Sequence, residues 1–508
     1  MTSMNIAIRV DSSTEIGSGH VMRCLTLAEG LREKGAAVHF ICKKLPGNLS
    51  GFIEGKRFSI HYTEHKGNEV CLPDHLVLLK AQQNADARLT SSILKKIGPV
   101  DWLIVDNYAL DEEWERAVAS LTKRLFVIDD LADRRHYCDL LLDQNINRDN
   151  DVRYKSLVPF QCRLMLGPSY ALLRPEFTQA RKQLRKRRST VHRLLIFFGG
   201  TDTTNETEKT LKAIQQCGVS GLQADVVVGA SNRHADRIKE LCASIPGFEF
   251  HRQVSMMSKL MTDADCAIGA GGTTTWERCC LGLPSFVVTV AQNQERITEI
   301  MAEKGFVLYL GKSSEVTVQH ITDALKFGLD NPYLLESMST RSLSLVDGHG
   351  TDRVVRTLSG SGIMVRRATV EDCKAIFHWR NNPETRKFFF DARELTFDTH
   401  MDWCRDAVSS ADRVLLIGTS GNEDIGVIRF DLVDNRAAVS VYIDPAKRGQ
   451  GLGPGLITAG SEWLFGAFPN ITNIEADVME GNTPSMRAFA AAGYFPYYHK
   501  FQRTRNMR

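Results

Sequence analysis

The fold is decided by residues 5–40, NIAIRVDSSTEIGSGHVMRCLTLAEGLREKGAAVHF. Ile6, Ile8 and Val10 alternate with polar or small residues, which is the period of a strand. A glycine turn follows, and then Val21, Cys24, Leu25, Ala28 and Leu31 recur at helical spacing. Gly35 stands where a helix ends in a left-handed residue, and Val38 and Phe40 resume an extended pattern. This is a strand–loop–helix–strand unit, the building block of a parallel α/β sheet. Its loop, Gly17-Ser18-Gly19, runs into His20. A helix beginning offers unpaired N–H groups and partial positive charge to an anion. An imidazole beside them can take a proton from water, an effect worth roughly 10²–10⁴-fold when well placed. Asp11, closing the first strand, is the expected orienting carboxylate. Taken alone, a Gly-x-Gly-His turn is more often a tight bend before a capped helix.

Similar apolar runs recur at DWLIVDNY (101–108), RLFVIDDLA (124–132) and CDLLLDQN (138–145), each ending in acidic or amide residues. In a parallel sheet such strand ends form the ligand rim. The basic run RPEFTQARKQLRKRRSTVHR (174–193) reads as a solvated connector or helix face rather than a phosphate patch. After it the α/β pattern restarts at RLLIFFGGTDTTN (193–205), LQADVVVGAS (222–231) and ADCAIGAGGTTTWERCCLGLPSFVVTV (264–290). In the last of these Gly271-Gly272 closes a strand, Thr273 and Thr274 open a helix, and Glu277 lies one turn inside. A diphosphate fits such a helix beginning, and a carboxylate suits the paired hydroxyls of a ribose. An ordinary capped turn with a first-turn acid is the equally weighted alternative.

Gly and Ser cluster again in LVDGHGTDRVVRTLSGSGIMVRRAT (345–369), and the texture changes beyond it. VLLIGTS, EDIGVIRFDLV and AAVSVYIDP suggest an antiparallel meander. The stretch VSVYIDPAKRGQGLGPGL (439–456) then alternates through Val439, Val441 and Ile443, stops at Asp444-Pro445, and wraps through Arg448-Gly449-Gln450-Gly451-Leu452-Gly453 into a helix. Amides of such a loop converge on a pyrophosphate. Downstream, EGNTPSMRAFAAAGYF (480–495) offers Asn482 as an N-cap and Gly493 as a terminator. The expected domains are 1–180, 190–358 and 363–508, and the expected class is α/β: two Rossmann-like lobes followed by an α+β domain with a mostly antiparallel sheet.

Composition narrows the function. The chain has 508 residues, enough for about three domains. Lys plus Arg number 63 against 60 Asp plus Glu, so the net charge of +3 supplies no field suited to nucleic acid. The twelve cysteines form no CxxC pair and read as scattered buried thiols of a reducing compartment. The opening residues go straight into a strand, and no apolar run is long enough to cross a bilayer. The expectation is a cytoplasmic protein without nucleic-acid or membrane partners.

At these motifs the chain becomes recognisable. Residues 363–508 resemble the GNAT N-acetyltransferases, whose Q/R-x-x-G-x-G motif matches Arg448, Gly451 and Gly453. The resemblance implies that Arg448, Gly449, Gly451 and Gly453 hold the acetyl-CoA pyrophosphate and that Val441 and Ile443 lie along the pantetheine. Asn482 matches the motif-B asparagine, while Phe489 stands where many members carry a tyrosine acid. The FHWRNNPETR segment (377–386) looks like the opening of an acetyltransferase acting on the 4-amino group of a UDP-sugar. The first 355 residues resemble the UDP-sugar hydrolases of pseudaminic acid biosynthesis, which have a GT-B fold. The matching segments include GSGHVMRCLTLA, VDNYAL, LGPSYALLRPEF, FGGTD and GAGGTTTWERCCLGLP. This resemblance implies hydrolysis of UDP-2,4-diacetamido-2,4,6-trideoxy-β-L-altrose without a metal, with His20 as general base. It places Tyr108 and Asn293 at the sugar. Gly17 and Gly19, with Gly271, Gly272, Thr273, Thr274 and Glu277, fall at the UDP. The combined expectation is a bifunctional enzyme whose partners are a UDP-linked amino-sugar and acetyl-CoA. A GT-B glycosyltransferase fused to another N-acetyltransferase and a nucleotide-sugar sensing module are the alternatives.

Overall fold

A computed structural model describes residues 4–63, 82–159, 161–185, 187, 190–219, 221–359, 363–389, 391–420, 423–479 and 481–495. The chain divides into two compact units, Met1–Val355 and Arg356–Arg508. Part of the Gly/Ser break at 360–362 lies outside the described residues.

The first unit contains two parallel sheets. One holds β1 (Asn5–Val10), β2 (Ala37–Cys42), β3 (Ser59–Tyr62), β4 (Val100–Asp106), β5 (Thr122–Ile128), β6 (Leu140–Asp143) and β7 (Arg163–Leu166), in the order β3-β2-β1-β4-β5-β6-β7. The other holds β8 (Arg193–Phe197), β9 (Gln223–Val228), β10 (Phe248–Arg252), β11 (Cys266–Ala270), β12 (Ser285–Thr289) and β13 (Leu308–Lys312), in the order β10-β9-β8-β11-β12-β13. Both orders reverse direction once, beside β1 in the first sheet and beside β8 in the second. At such a switch point the flanking crossovers lie on opposite faces and leave a crevice at the strand ends. The central strands are buried on both faces, so sequences such as those of β4, β6, β11 and β12 run nearly unbroken in apolar or small residues. The helix Gly19–Glu33 terminates as read, with Gly35 at φ +84°. The helix Gly350–Leu358 returns to the first lobe, where Thr351 Oγ1 donates to the Leu173 carbonyl at 2.8 Å.

The basic connector corrects the sequence reading at Arg181 and Arg187, which are partly buried and bonded to main-chain carbonyls rather than left to solvent. Arg181 donates to the carbonyls of Cys280 (2.6 Å) and Leu343 (2.8 Å). Arg187 donates to those of Gly282 (2.8 Å), Leu281 (2.7 Å), Met261 (3.2 Å) and Ala264. These carbonyls close the helices Met257–Asp263, Thr274–Cys280 and Pro332–Leu345, so the guanidinium groups satisfy acceptors that a helix end leaves open. Charge patterning alone cannot distinguish that use from a wet surface.

The second unit carries one mixed sheet, β14 (Ile363–Arg367), β15 (Arg413–Ser420), β16 (Glu423–Val433), β17 (Arg436–Ile443) and β18 (Asn473–Glu475), in sequential order. Its pairs are antiparallel except β17 with β18. Here the reading of all cysteines as free thiols is also corrected: Cys373 and Cys404 form a disulfide between the helices Cys373–Asn381 and Phe397–Ser409. The two residues are far apart in sequence and share no motif spacing, so only the packed helices reveal the pair. The nine remaining described cysteines are free.

Candidate active site

His20 occupies the first turn of the helix that follows β1, at the first switch point. Its Nδ1 lies 2.6 Å from Asp106 Oδ1, at the end of the neighbouring β4. Asp11, the expected partner, is turned elsewhere: Oδ1 accepts from Arg9 Nη1 and the Lys43 amide, both at 2.6 Å, and Oδ2 accepts from Asn107 Nδ2 at 2.9 Å. The reason lies in the register. Val10 sits opposite Asp106, so β4 delivers its terminal carboxylate one strand across, facing the helix, while Asp11 is held by the buried Arg9.

Arg23, one turn after His20, grips Asp106 with two bonds, Nε to Oδ2 at 2.7 Å and Nη2 to Oδ1 at 2.6 Å. Its Nη1 donates to Asp130 Oδ2 at 3.1 Å. Tyr108 donates its hydroxyl to Asp130 Oδ1 at 2.5 Å and sets its ring edge-on to His20, with centroids 4.6 Å apart. Burial opposes ionisation of Asp106, yet Arg23 and His20 hold its carboxyl well below the usual range. Arg23 Nη2 also lies 3.1 Å from His20 Nδ1. A guanidinium only donates and an ionised carboxylate only accepts, so the shorter contact puts the proton on Nδ1, aimed at Asp106. Nε2 keeps its lone pair and has no hydrogen-bond partner among the described residues.

At the second switch point, Gly271 and Gly272 follow β11, and Thr273 caps the helix Thr274–Cys280 without a side-chain bond of its own. This turn faces the His20 loop across the cleft between the lobes: a Cβ on Gly19 would lie 3.9 Å from Thr273 Cγ2, and one on Gly200 would lie 3.8 Å from Ser18 Oγ. Gly17 takes φ +82°, which a side chain would strain. Glu277 accepts from Arg174 Nη2 at 3.2 Å, and burial raises its carboxyl against that pairing. Asn293 is exposed on the first turn of the helix Gln292–Glu303. The structure thus brings together the His20, Gly19 and Thr273 calls, shows that Arg23, from the same turn of sequence, grips Asp106, and adds Asp106 and Asp130, which the motif reading had left unassigned. The signal of Asp106 and Asp130 was present as acidic residues at strand ends.

Among the described residues one trio of side chains is spaced to share a metal ion, Asp225, Glu249 and His251. Arg193 already takes both Asp225 oxygens, at 2.6 and 2.8 Å.

In the second unit, β17 pairs with β18 only through Arg436–Ala438, so Val441 and Ile443 leave one strand edge without a β partner among the described residues. Gly449 and Gly451 take φ +78° and +74° before the helix Leu452–Ala467, and Gly453 follows inside its first turn. Arg448 Nη2 donates to Thr385 Oγ1. Asn482 caps the helix Thr483–Ala491 by accepting from the Ser485 amide at 3.2 Å. Phe489 is core, and the Tyr494 hydroxyl lies 2.8 Å from Ser461 Oγ.

Comparisons with known proteins fit this division. Residues 363–494 match the acetyltransferase (GNAT) domain, and this region forms a GNAT-type domain. An uncharacterized protein of Methanocaldococcus jannaschii is 24% identical over 97% of this chain and 96% of its own, through both units. The spore coat polysaccharide biosynthesis protein SpsG of Bacillus subtilis is 24% identical over 70% of this chain and 98% of its own. The UDP-2,4-diacetamido-2,4,6-trideoxy-beta-L-altropyranose hydrolase of Campylobacter jejuni is 24% identical over 60% of this chain and 98% of its own. The chain therefore joins a first unit similar to these sugar-related proteins to a GNAT-type domain.

Proposed function

We propose that the first unit hydrolyses a UDP-linked diacetamido-trideoxy hexose to UDP and free sugar, and that the second acetylates the 4-amino group of the UDP-sugar one step earlier. The observation that carries the first half is the pairing of His20 Nδ1 with Asp106, on a loop whose Gly19 lies beside Thr273 of the Gly-Thr turn; Nε2 is left without a partner among the described residues. Water between Nε2 and the anomeric carbon gives its proton to the imidazole as its oxygen attacks. The bond from that carbon to the diphosphate oxygen breaks and UDP departs. Amides around Gly271–Thr274 face the developing negative charge, a task otherwise given to a cation. Tyr108, fixed by Asp130, and Asn293 present polar groups to the sugar.

In the second unit, the loop Arg448–Gly453 and the open edge of β17 hold acetyl-CoA. An unprotonated sugar amine attacks the thioester carbonyl, the carbon–sulfur bond breaks, and the amine proton goes to solvent. The GNAT match and the positive-φ glycines support this reading.

The test is mass spectrometry of the purified chain with the UDP-amino-sugar, with and without acetyl-CoA. Acetylated sugar freed of UDP only when acetyl-CoA is present supports both halves. UDP release without a matching amount of free sugar, or saturable binding without turnover, removes the hydrolase reading. His20→Asn is expected to stop sugar release and retain UDP-sugar binding.

A further inference from the structure

Asp143 closes β6, is fully buried, and takes no part in the steps above. Its Oδ1 accepts from the Asn145 amide at 2.9 Å, and its Oδ2 lies 3.0 Å from Asn147 Nδ2 and 3.1 Å from the Tyr154 hydroxyl. The same hydroxyl lies 3.1 Å from the Asp129 carbonyl and 3.1 Å from Asp129 Oδ2.

A phenol has one proton to give. Burial opposes ionisation of Asp129, but His136 and Arg134 hold its carboxyl well below the usual range, so it can only accept. The phenol proton therefore goes to Asp129. The contact from Tyr154 to Asp143 is attractive only if Asp143 Oδ2 carries a proton and donates it to the phenol oxygen. The other lone pair of Oδ2 still accepts from Asn147. The charged groups facing Asp143 are Asp129 and Asp130 beyond β5, and Arg153 beside Tyr154. Arg153 Nε forms an ion-pair contact with Oδ2 at 3.4 Å, outside hydrogen-bond geometry, that pulls against the proton on Asp143, while its Nη2 is spent on the carbonyls of Asp130 and Leu131. Burial and the charge of Asp130 push the Asp143 carboxyl up to about 7.

The loop pinned by Asp143 crosses to the second lobe. Ile146 packs in one cluster with Leu173, Phe177 and Trp276, the last of these beside Glu277. Arg148 pairs with Glu303, and Asp149 accepts from Arg296 at 3.0 Å.

We propose that Asp143 works as a neutral carboxylic acid, a positioning residue whose proton, shared with Tyr154, holds the loop 143–149 against the second lobe, at the helix Gln292–Glu303 and the cluster that includes Trp276 of the Gly-Thr helix. When that proton passes to solvent, two oxygens of like charge character face each other and the loop is released. Turnover then falls on the alkaline side. The effect on turnover rests on the hydrolase reading; the shared proton does not.

Two readouts on the intact chain separate these. Difference infrared spectra taken across neutral pH are expected to show the carbonyl stretch of a buried carboxylic acid titrating near pH 7 in the wild type and missing from Asp143→Asn. Its absence from the wild type overturns the proposal whatever the enzyme does. In UDP release, the wild type is expected to lose rate as pH rises through that midpoint. Asp143→Ala should run at about a tenth of the wild type's low-pH rate at every pH, as one lost buried hydrogen bond allows, so that the two converge on the alkaline side. Asp143→Asn, which can still donate to Tyr154, should rescue the rate and flatten the alkaline limb. Identical pH profiles for wild type and Asp143→Asn contradict the proposal. If no variant releases UDP, the hydrolase reading fails and the infrared result still decides the proton.

Discussion

Asp106 accepts the Nδ1 proton of His20 at 2.6 Å although the two residues are 86 positions apart in the chain. The pairing exists because β1 and β4 are neighbours in space, and it turns an unremarkable first-turn histidine into a base of fixed orientation. Asp106→Asn keeps the size and offers an amide that can donate to Nδ1, which selects the other tautomer. The expected outcome is a fall in kcat for UDP release of roughly 10²–10⁴-fold with little change in KM. Steady-state kinetics measure it; an unchanged kcat removes Asp106 from the mechanism.

His136 is buried between Glu115 and Asp129, with Nδ1 2.7 Å from Glu115 Oε1. Burial by itself would lower its basicity, but the two carboxylates raise it to about 9. A raised folded-state value stabilises the fold fully below the ordinary value of 6.5, and that contribution is lost as pH rises through about 9. His136→Gln should therefore cost about 3 kcal/mol at acid pH and much less at strongly alkaline pH, read as the difference in thermal midpoint from wild type. A penalty independent of pH contradicts the charged state of His136.

Gly229 follows β9 where a Cβ would come within 2.1 Å of the Gly200 carbonyl oxygen. Backbone cannot rotate away as a side-chain tip can. Gly229→Ala should destabilise the second lobe by about 1–3 kcal/mol or more, and it should displace the FGGTD loop. Gly55→Ala, with nothing within 4 Å of its Cβ, is the control. Denaturant unfolding compares the two.

The two proposed activities fall in separate compact units, and single substitutions should divide them. Arg448→Ala should raise the KM for acetyl-CoA about tenfold, the scale of one charge-assisted contact, and leave UDP release unchanged. His20→Asn should do the reverse. Loss of both activities in either variant would mean that the units do not work independently.

Much of the fold was legible because parallel strands carry their own signal. Ile6, Ile8 and Val10 line one buried face of β1, Leu103 to Val105 are apolar on both faces of β4, and Gly35 and Gly493 mark helix ends by a conformation that other residues avoid. His20 was legible through its glycine turn. Its partner was not, since Asp11 and Asp106 are both acids at strand ends and only strand order decides between them. The arginines of 181–187 escaped for a similar reason: their acceptors are main-chain carbonyls, which leave no trace in a sequence. The Cys373–Cys404 pair depends on two helices packing, which spacing does not encode.

The central claim is that water, activated at His20, attacks the anomeric carbon. The most direct measurement is hydrolysis of the acetylated UDP-sugar in heavy-oxygen water, with both products weighed by mass spectrometry at early times. The account predicts one heavy oxygen in the released sugar, none in UDP, and no release from His20→Asn. Heavy oxygen in the phosphate of UDP, or normal release from the His20 variant, would contradict it.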